Sequence, residues 1–401
     1  MRTLFFNLLV ILSLVPMVVH ATTKTLETYV QQLVEHPEVL EILSRSNSNA
    51  ELASAEMGLP DPVIILGVDN LPVNDPSFDK YLPSSKVYGF KQAFPNYSLR
   101  KAMSSKKSQL SKQEKLMASY IKSKLEYMLV STLIKLDKVE KQQKIAKVQL
   151  SNYKELESYF KGRLESGSGV YWRFSQVDVE RSLVEQKINN LIAEQDEIEG
   201  ELIRLVGEVP KVKVYEIVST EWSSVDDMYP VSIAQEKVAV KGYDVEAANA
   251  AYGFNYGVQA LYKERESGQN FDGEDWFSIQ ATVSIPLWSK WNQAPKKRAA
   301  LAQQNESEQR LEKVKRIYLK EMKTLQSKRD AALKNVHILH SKNLALKDMI
   351  SAAERTYESG ETSLDAVLES QISRLSIQSQ LEEERFKHMS LLAKINSYIR
   401  K

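Results

Sequence analysis

The segment "WFSIQATVSIPLW", Trp276–Trp288, has the most distinctive pattern in the chain. Apolar side chains occupy every second position, and Ser, Gln and Thr separate them up to Ser284; the apolar positions are Phe277, Ile279, Ala281, Val283 and Ile285. This period of two predicts a β-strand with one apolar and one polar face. Most of the surrounding sequence has helical patterns, so the strand needs partner strands, and its apolar face needs a surface that shields it from water.

The composition excludes several classes of function. The chain has 401 residues, with 54 Lys and Arg against 52 Asp and Glu, and this balance gives no attraction to nucleic acid. It contains no cysteine, which excludes disulfides, thiolate metal ligands and a lipidated N-terminal cysteine. We also find no nucleophile–base constellation, phosphate-binding loop or zinc spacing, so we expect neither an enzyme nor a bound cofactor.

The first 21 residues are typical of a cleavable secretory signal peptide. Arg2 precedes an apolar run from Leu4 to Val19, and the predicted cleavage site ends at Ala21. The run is short for a transmembrane helix and contains Pro16. No later stretch approaches 18 consecutive apolar residues, so we expect an exported protein that does not meet a membrane again through a helix.

Residues 22–207 are interpreted as the first of two repeats. A helical pattern over residues 25–57 leads into two predicted strands, 63–70 and 86–95. Residues 98–161 then contain neither glycine nor proline, which predicts a helix about 95 Å long. A break at residues 161–169 separates it from a returning helix over residues 171–205.

The same order of elements recurs after a linker, residues 208–230, and defines a second repeat over residues 231–401. Its predicted elements are a helix at 231–252, strands at 256–264 and 276–286, a long helix at 296–359 and a final helix at 364–400. Residues 296–359 again contain neither glycine nor proline. We interpret the chain as a tandem duplication.

This arrangement predicts an oligomer. A narrow apolar seam on the first long helix is typical of helices that pack along their full length; it consists of Leu125, Leu129, Leu133 and Leu136. Four strands of transmembrane length cannot close a barrel, because about eight are needed and an open sheet edge is not tolerated in lipid. The strands must therefore be shared among copies of the chain, eight in a dimer or twelve in a trimer.

The chain resembles the TolC-like outer membrane factors of Gram-negative bacteria. The resemblance covers nearly the whole mature chain and rests on the segments "QAFPNYSLRKA", "VSIPLWSKWNQAPKKRAA", "ELIRLVG" and "YESGETSLDAVLESQ". The compact proportions and "LPDPVIILGVDNLP" are most similar to the CzcC/CusC branch, which serves heavy-metal efflux. The resemblance implies a mainly helical protein whose homotrimer forms a twelve-stranded barrel and a periplasmic tunnel, opened by a periplasmic adaptor and an inner-membrane pump of the resistance-nodulation-division type.

The resemblance also implies site residues at the turns between the long helices. Glu369 falls on an acidic position that lines the closed pore, whereas Ala366 occupies the second such position and Asp365 lies one residue earlier. The alternative is that both carboxylates are solvated and interact with the helix dipole. Gly167 and Gly360 are expected to take positive φ; these two glycines, Ser363 and Leu364 are the candidates for adaptor contact.

Other residues have assignments in the membrane. Phe277, Ile279, Val283 and Ile285 are expected to face lipid. Trp276 and Trp288 are candidates for an aromatic girdle at the membrane interface, with ordinary packing at the barrel–helix junction as the alternative. The pair His337 and His340 is interpreted as two surface histidines rather than a metal site.

The leading hypothesis is therefore an outer-membrane exit duct that extends into the periplasm. Its substrate stays open among heavy-metal cations, drugs and proteins secreted by a type I system. A periplasmic adaptor also has long helical hairpins, but it predicts one hairpin and a lipoyl-like domain instead of two hairpins. A soluble coiled-coil scaffold does not explain the signal peptide and the amphipathic strands.

Overall fold

The structure of the protein, a computed structural model, describes residues 24–167 and 170–400. The predicted signal peptide, residues 1–21, lies outside the described residues. The chain folds into seven helices and one sheet over the described ranges. The helices are α1 Leu26–Gln32, α2 Pro37–Met57, α3 Tyr97–Glu165, α4 Tyr171–Val206, α5 Tyr229–Ala250, α6 Gln293–Glu358 and α7 Leu364–Tyr398.

The two long helices dominate the molecule. With 69 residues in α3 and 66 in α6, each extends about 100 Å. The predicted start of α6 at residue 296 was three residues late, because Pro295 lies inside the first turn of the helix. A proline there removes an N–H that has no partner within the helix in any case. Among the described residues, no helix combines the length and apolarity needed to cross a membrane.

The sheet joins the two halves of the chain. Its strands are β1 Val63–Asp69, β2 Ser85–Phe94, β3 Asn255–Glu264 and β4 Trp276–Ser284, all antiparallel and in that spatial order. The predicted last strand extended to residue 286, but pairing stops at Ser284 because Pro286 cannot donate a backbone hydrogen bond. The outer edges of β1 and β4 have no partner strand in the described part of the chain.

The helices leave the sheet from one end and pack side by side. Helix α3 follows β2 directly and packs against α2, α4, α5 and α7, while α6 follows β4 and packs against α5 and α7. The predicted seam of Leu125, Leu129 and Leu133 is buried in the core of the first half. Helices α4 and α6 are the outermost long helices, and many of their apolar side chains stay exposed in the single chain.

Asn96 connects the two halves where the sheet meets the helices. Its side-chain oxygen accepts a hydrogen bond from the Leu99 amide at 3.3 Å, which caps α3, and its Nδ2 donates to the Ala250 carbonyl at 2.6 Å. The Asn255 side chain in turn accepts from the Asn96 amide at 2.9 Å. The start of α3, the end of α5 and the start of β3 are thereby held together at one point.

An ion pair with α3 anchors the linker between the halves. Asp137 accepts from Lys141 at 2.8 Å and from Lys213 of the linker at 3.2 Å. Burial alone would raise the pKa of Asp137, but the hydrogen bonds from the two lysines outweigh it and lower the pKa below its ordinary value of 3.8. The ionised Asp137 therefore stabilises the linker at neutral pH.

We expect the stability contributed by Asp137 to depend on pH. A depressed folded pKa means that the contribution is present above pH 3.8 and is lost as the pH falls through the lower folded value. Asp137→Asn should therefore lower the thermal midpoint, measured by circular dichroism in detergent, at pH 7 but not below the folded pKa. The control Asp348→Asn, exposed on α6, should leave the midpoint unchanged at both pH values. An Asp137→Asn effect that persists undiminished in acid would contradict this prediction.

Candidate membrane surface and helical tips

Strand register places the apolar side chains of the sheet on a single face. Directly opposed residues of antiparallel strands point to the same side, and the opposed pairs include Tyr262 with Phe277 and Ala260 with Ile279. The face continues across all four strands. Its apolar members are Ile64, Leu66, Val68, Tyr88, Phe90, Phe94, Tyr256, Val258, Ala260, Tyr262, Phe277, Ile279, Ala281 and Val283.

No described part of the chain covers this apolar face. Leu66 is 73% exposed and Ile279 is 69% exposed, and every residue of β4 is exposed. Polar residues interrupt the face only towards its ends, at Gln92 and at the ion pair between Lys86 and Glu264. A contiguous apolar area of this kind marks a surface that contacts lipid or another protein.

The opposite face of the sheet is mostly polar. On β4 it carries Ser278, Gln280, Thr282 and Ser284, and these are opposed on β3 by residues that include Gln259 and Asn255. Glycines 67, 89 and 257 also lie on this face, and at these positions no side chain projects from the sheet. The sheet is therefore amphipathic in β3 and β4, whereas β1 carries Val63 and Ile65 on this face and is apolar on both sides.

The two tryptophans assigned to a girdle lie in different places. Trp276 opposes Lys263, so it lies on the polar face and not with Phe277, and its ring centroid is 4.2 Å from the guanidinium carbon of the buried Arg265. Trp288 lies beyond the end of β4 with Ile285, and both side chains are exposed. Of these two tryptophans, only Trp288 lies outside the polar face of the sheet.

Two turns form the ends of the helical hairpins, a full helix length from the sheet. Gly167 and Gly360 have φ of 85° and 81°, the left-handed conformation predicted for them. Ser363 is the N-cap residue of α7 but makes no side-chain capping bond. Leu364 packs partly buried against a cluster of Leu156, Phe160, Val177 and Leu368, which joins the ends of α3, α4 and α7.

The structure pairs one of the two predicted acidic residues, Glu369, with a basic residue that was not predicted from the sequence. Glu369 is exposed on α7, and its carboxylate accepts from the Arg173 guanidinium of α4 at 2.5 Å. Asp365, one turn earlier, has a buried Oδ1 with no hydrogen-bond partner in the described chain. In the sequence, Arg173 is marked only by the neighbouring aromatic residues Tyr171 and Trp172. Its partner Glu369 lies 196 residues away, so no local pattern indicates the ion pair.

The histidine pair stays on the surface. His337 and His340 are both exposed on α6. In the ranges that the structure describes, no group of three or more His, Cys, Asp or Glu side chains is placed to hold a metal ion.

Comparison with solved structures defines the fold. No protein-family profile and no curated protein matches the sequence. Crystal structures of CusC match with a TM-score of 0.75, 14% identity and coverage of 92% of this chain and 91% of that one. The Campylobacter jejuni CmeC outer membrane channel matches at 0.74, 12% identity, and 94% and 86% coverage. The open-state Neisseria gonorrhoeae MtrE outer membrane channel matches at 0.74, 13% identity, and 93% and 88% coverage.

The chain therefore has the TolC-like channel fold, mainly helical with a four-stranded antiparallel sheet, as predicted. CusC, CmeC and MtrE match equally well, so the likeness does not distinguish the CzcC/CusC branch from others of this fold.

Proposed function

We propose that the protein is the exit duct of a tripartite export system, a homotrimer that crosses the outer membrane and extends into the periplasm. The proposal rests on the four-stranded sheet, whose apolar face is uncovered and whose two edges are open among residues 24–167 and 170–400. Three of the four strands have nine or ten residues, the length needed to cross the hydrocarbon layer when tilted.

The open edges determine the assembly. Unpaired backbone groups cost several kcal/mol each in lipid, so β1 and β4 must pair with other strands there. Pairing of β4 with β1 of a neighbouring copy closes a ring, and three copies supply twelve strands. Phe277, Ile279 and Val283 then face lipid, and the polar face that carries Gln280 and Gln259 lines the pore.

The rest of the chain extends this pore. Helices α3 and α6 leave the sheet from the end that carries the linked Asn96 and Asn255, and they reach about 100 Å. The exposed apolar side chains of α4 and α6 supply lateral contacts between copies in a closed tube. We take residues 22–207 and 231–401 as duplicated repeats joined by residues 208–230. At the membrane, we place Ile285 against lipid and Trp288 at the interface with water.

The substrate and partners follow from resemblance. The resemblance to the CzcC/CusC branch favours heavy-metal cations as cargo and a resistance-nodulation-division pump as the energy source, with a periplasmic adaptor that contacts Gly167, Gly360, Ser363 and Leu364. No cofactor is required, because the duct itself performs no chemistry.

The trimer is tested by native mass spectrometry of the protein extracted from outer membranes. Three chains per particle support the proposal, and a monomer in the soluble or inner-membrane fraction contradicts it.

Asp365 and Glu369 form the proposed pore gate. They lie one turn apart on α7, and threefold repetition would concentrate negative potential on the pore axis. The pairing of Arg173 with Glu369 offsets part of that charge and joins α4 to α7 at the constriction.

We expect the double variant Asp365→Asn with Glu369→Gln to reduce cation selectivity and to alter single-channel conductance in a planar bilayer. The neutral amides keep the side-chain volumes, so the change reports on charge. Glu308→Gln, an exposed position on α6 far from the tip, is the control and should behave as the wild type. Unchanged selectivity and conductance in the double variant would remove these residues from the gate.

A further inference from the structure

The polar face of the sheet carries one uncompensated charge. The charged side chains that the strands place on this face are Asp69 of β1, Lys91 of β2 and Lys263 of β3. Asp69 and Lys263 neutralise each other, because the Lys263 Nζ donates to the Asp69 Oδ2 at 2.5 Å. Lys91 is exposed, and its ammonium group has no ion-pair or hydrogen-bond partner among residues 24–167 and 170–400. The strands of each chain therefore contribute one free positive charge to this face.

Strand register places Lys91 level with the middle of β3 and β4. It opposes Gln259 of β3, and Gln259 in turn opposes Gln280 of β4. Its neighbours on the same face of β2 are Gly89 and Ala93, since side chains two positions apart point to the same side of a strand. Neither small residue obstructs a long side chain, so the ammonium group is able to extend away from the sheet.

Solvation of the polar face does not require this charge. Gln259 and Gln280 occupy the same row across the sheet with neutral side chains. The carboxylate of Asp61, two residues ahead of β1, makes no ion pair with Lys91 in the described chain. Side chains that face the lumen of a membrane barrel are the ones that tune its selectivity. A free lysine in an otherwise neutral row is therefore a candidate for that role.

Closure of the sheet into a twelve-stranded barrel brings three copies of Lys91 to one level of the pore, and this step rests on the proposed function. Twelve strands about 4.8 Å apart and tilted by about 40° form a ring with a radius of about 12 Å. A lysine stem reaches about 6 Å inward, so each ammonium group lies about 6 Å from the pore axis. The Debye length is about 10 Å in 0.1 M salt, so the field of the three charges extends to the axis.

The field at the axis favours anions. Three unit charges about 6 Å away raise the concentration of a monovalent anion there about sevenfold in 0.1 M salt, and they lower that of a monovalent cation by the same factor. A divalent cation is depleted about fiftyfold, because its interaction energy is twice as large. Asp365 and Glu369, the proposed gate, are separated from the sheet by the length of α3, about 100 Å, so screening removes their field before it reaches Lys91.

We propose that Lys91 determines the ion selectivity of the membrane-spanning part of the duct, as a ring of three ammonium groups that favours small anions and opposes divalent cations. The favoured solutes carry a carboxylate, a phosphate or another anionic group. A metal cargo crosses this part of the duct more readily as an anionic complex than as the bare ion.

The test measures the chloride-to-potassium permeability ratio of the purified protein in planar bilayers, from the reversal potential under a tenfold KCl gradient. The parent protein carries Asp365→Asn with Glu369→Gln, so the charges of the proposed gate are absent. Between about 10 mM and about 100 mM KCl, we expect Lys91→Gln to lower the ratio at least threefold and Lys91→Glu to lower it at least tenfold. Both effects should disappear above about 1 M KCl, where the Debye length is about 3 Å or less. The same ratio in the parent and in both variants overturns the proposal.

Two further variants separate the charge of Lys91 from its place in β2. Lys91→Arg keeps the charge and should keep the ratio of the parent. Lys91→Gln with Gln280→Lys moves the charge along the same row to β4 and should restore the ratio, which a purely structural role of Lys91 in β2 does not explain. A relocated lysine that fails to restore the ratio overturns the ring. Conductance steps that do not respond to these charges refute the ring and leave the pore standing, whereas a wild-type protein without conductance steps contradicts the proposed function as well.

Discussion

Ile279→Arg is expected to abolish stable insertion of the protein into the outer membrane. Ile279 lies in the middle of β4 on the apolar face, opposite Ala260, and is among its most exposed members. An arginine on the lipid face near the bilayer centre costs about 2–4 kcal/mol, and a trimer carries three of them, so the total is on the order of 6–12 kcal/mol. A penalty of that size is comparable with the whole net stability of a folded protein, about 5–15 kcal/mol.

The neighbouring position supplies the control. Gln280 lies at the same depth but on the polar face, opposite Gln259, so Gln280→Arg should insert normally. The measurement is the amount of heat-resistant oligomer in purified outer membranes. Equal amounts for the two arginine variants would mean that the apolar face does not contact lipid.

The second large effect is expected from cysteine pairs at the two open edges. The chain has no cysteine of its own, so every disulfide comes from the introduced residues. Strands β1 and β4 are separated by three strand spacings, about 14 Å, whereas a disulfide needs Cα atoms no more than about 7 Å apart. A disulfide between β1 and β4 must therefore join different copies.

We expect Gln280→Cys, combined in turn with Val63→Cys, Ile65→Cys and Gly67→Cys, to give a covalent trimer with at least one partner. All four positions lie on the same face of the sheet, and the scan of β1 allows for the register between copies. Non-reducing electrophoresis after mild oxidation is the measurement. Each single-cysteine variant is a control and should form no covalent trimer. Monomers in all three double variants would contradict strand sharing.

The sequence predicted the elements well because their signals are local. Period-two alternation identifies the strand that begins at Trp276, and the absence of glycine and proline identifies α3 and α6. The buried seam at Leu125 follows from helical spacing in the same way. The predicted ends of elements were less accurate than their positions. Pro295 is tolerated inside the first turn of α6, and strand pairing stops at Ser284, ahead of Pro286.

The assignment of Trp276 to the membrane girdle stays a prediction, and it rested on residue type alone. Trp276 is separated from Ser278 and Gln280 by two and four positions, so the alternation of side chains along a strand already placed it on the polar face. The enrichment of tryptophan at membrane interfaces is a statistical tendency, whereas strand geometry fixes the side of each residue. The stacking of Arg265 on Trp276 was not predictable, because it depends on how the connections between strands fold.

The hairpin tips show what a sequence alone does not contain. The ion pair between Arg173 and Glu369 joins residues in different repeats, and no local pattern relates them. The exposure of Trp172 was not predictable either. An aromatic residue at the start of a helix can also pack inward, as Phe174 does. Tertiary contacts decide between these outcomes.

Copies of this chain are proposed to share their strands and close a water-filled pore, and the decisive measurement is single-channel recording of the purified protein in a planar bilayer. We expect discrete conductance steps from a particle of three chains, lost in Ile279→Arg and retained in Gln280→Arg. A monomeric protein that stays soluble without detergent and produces no conductance would contradict it.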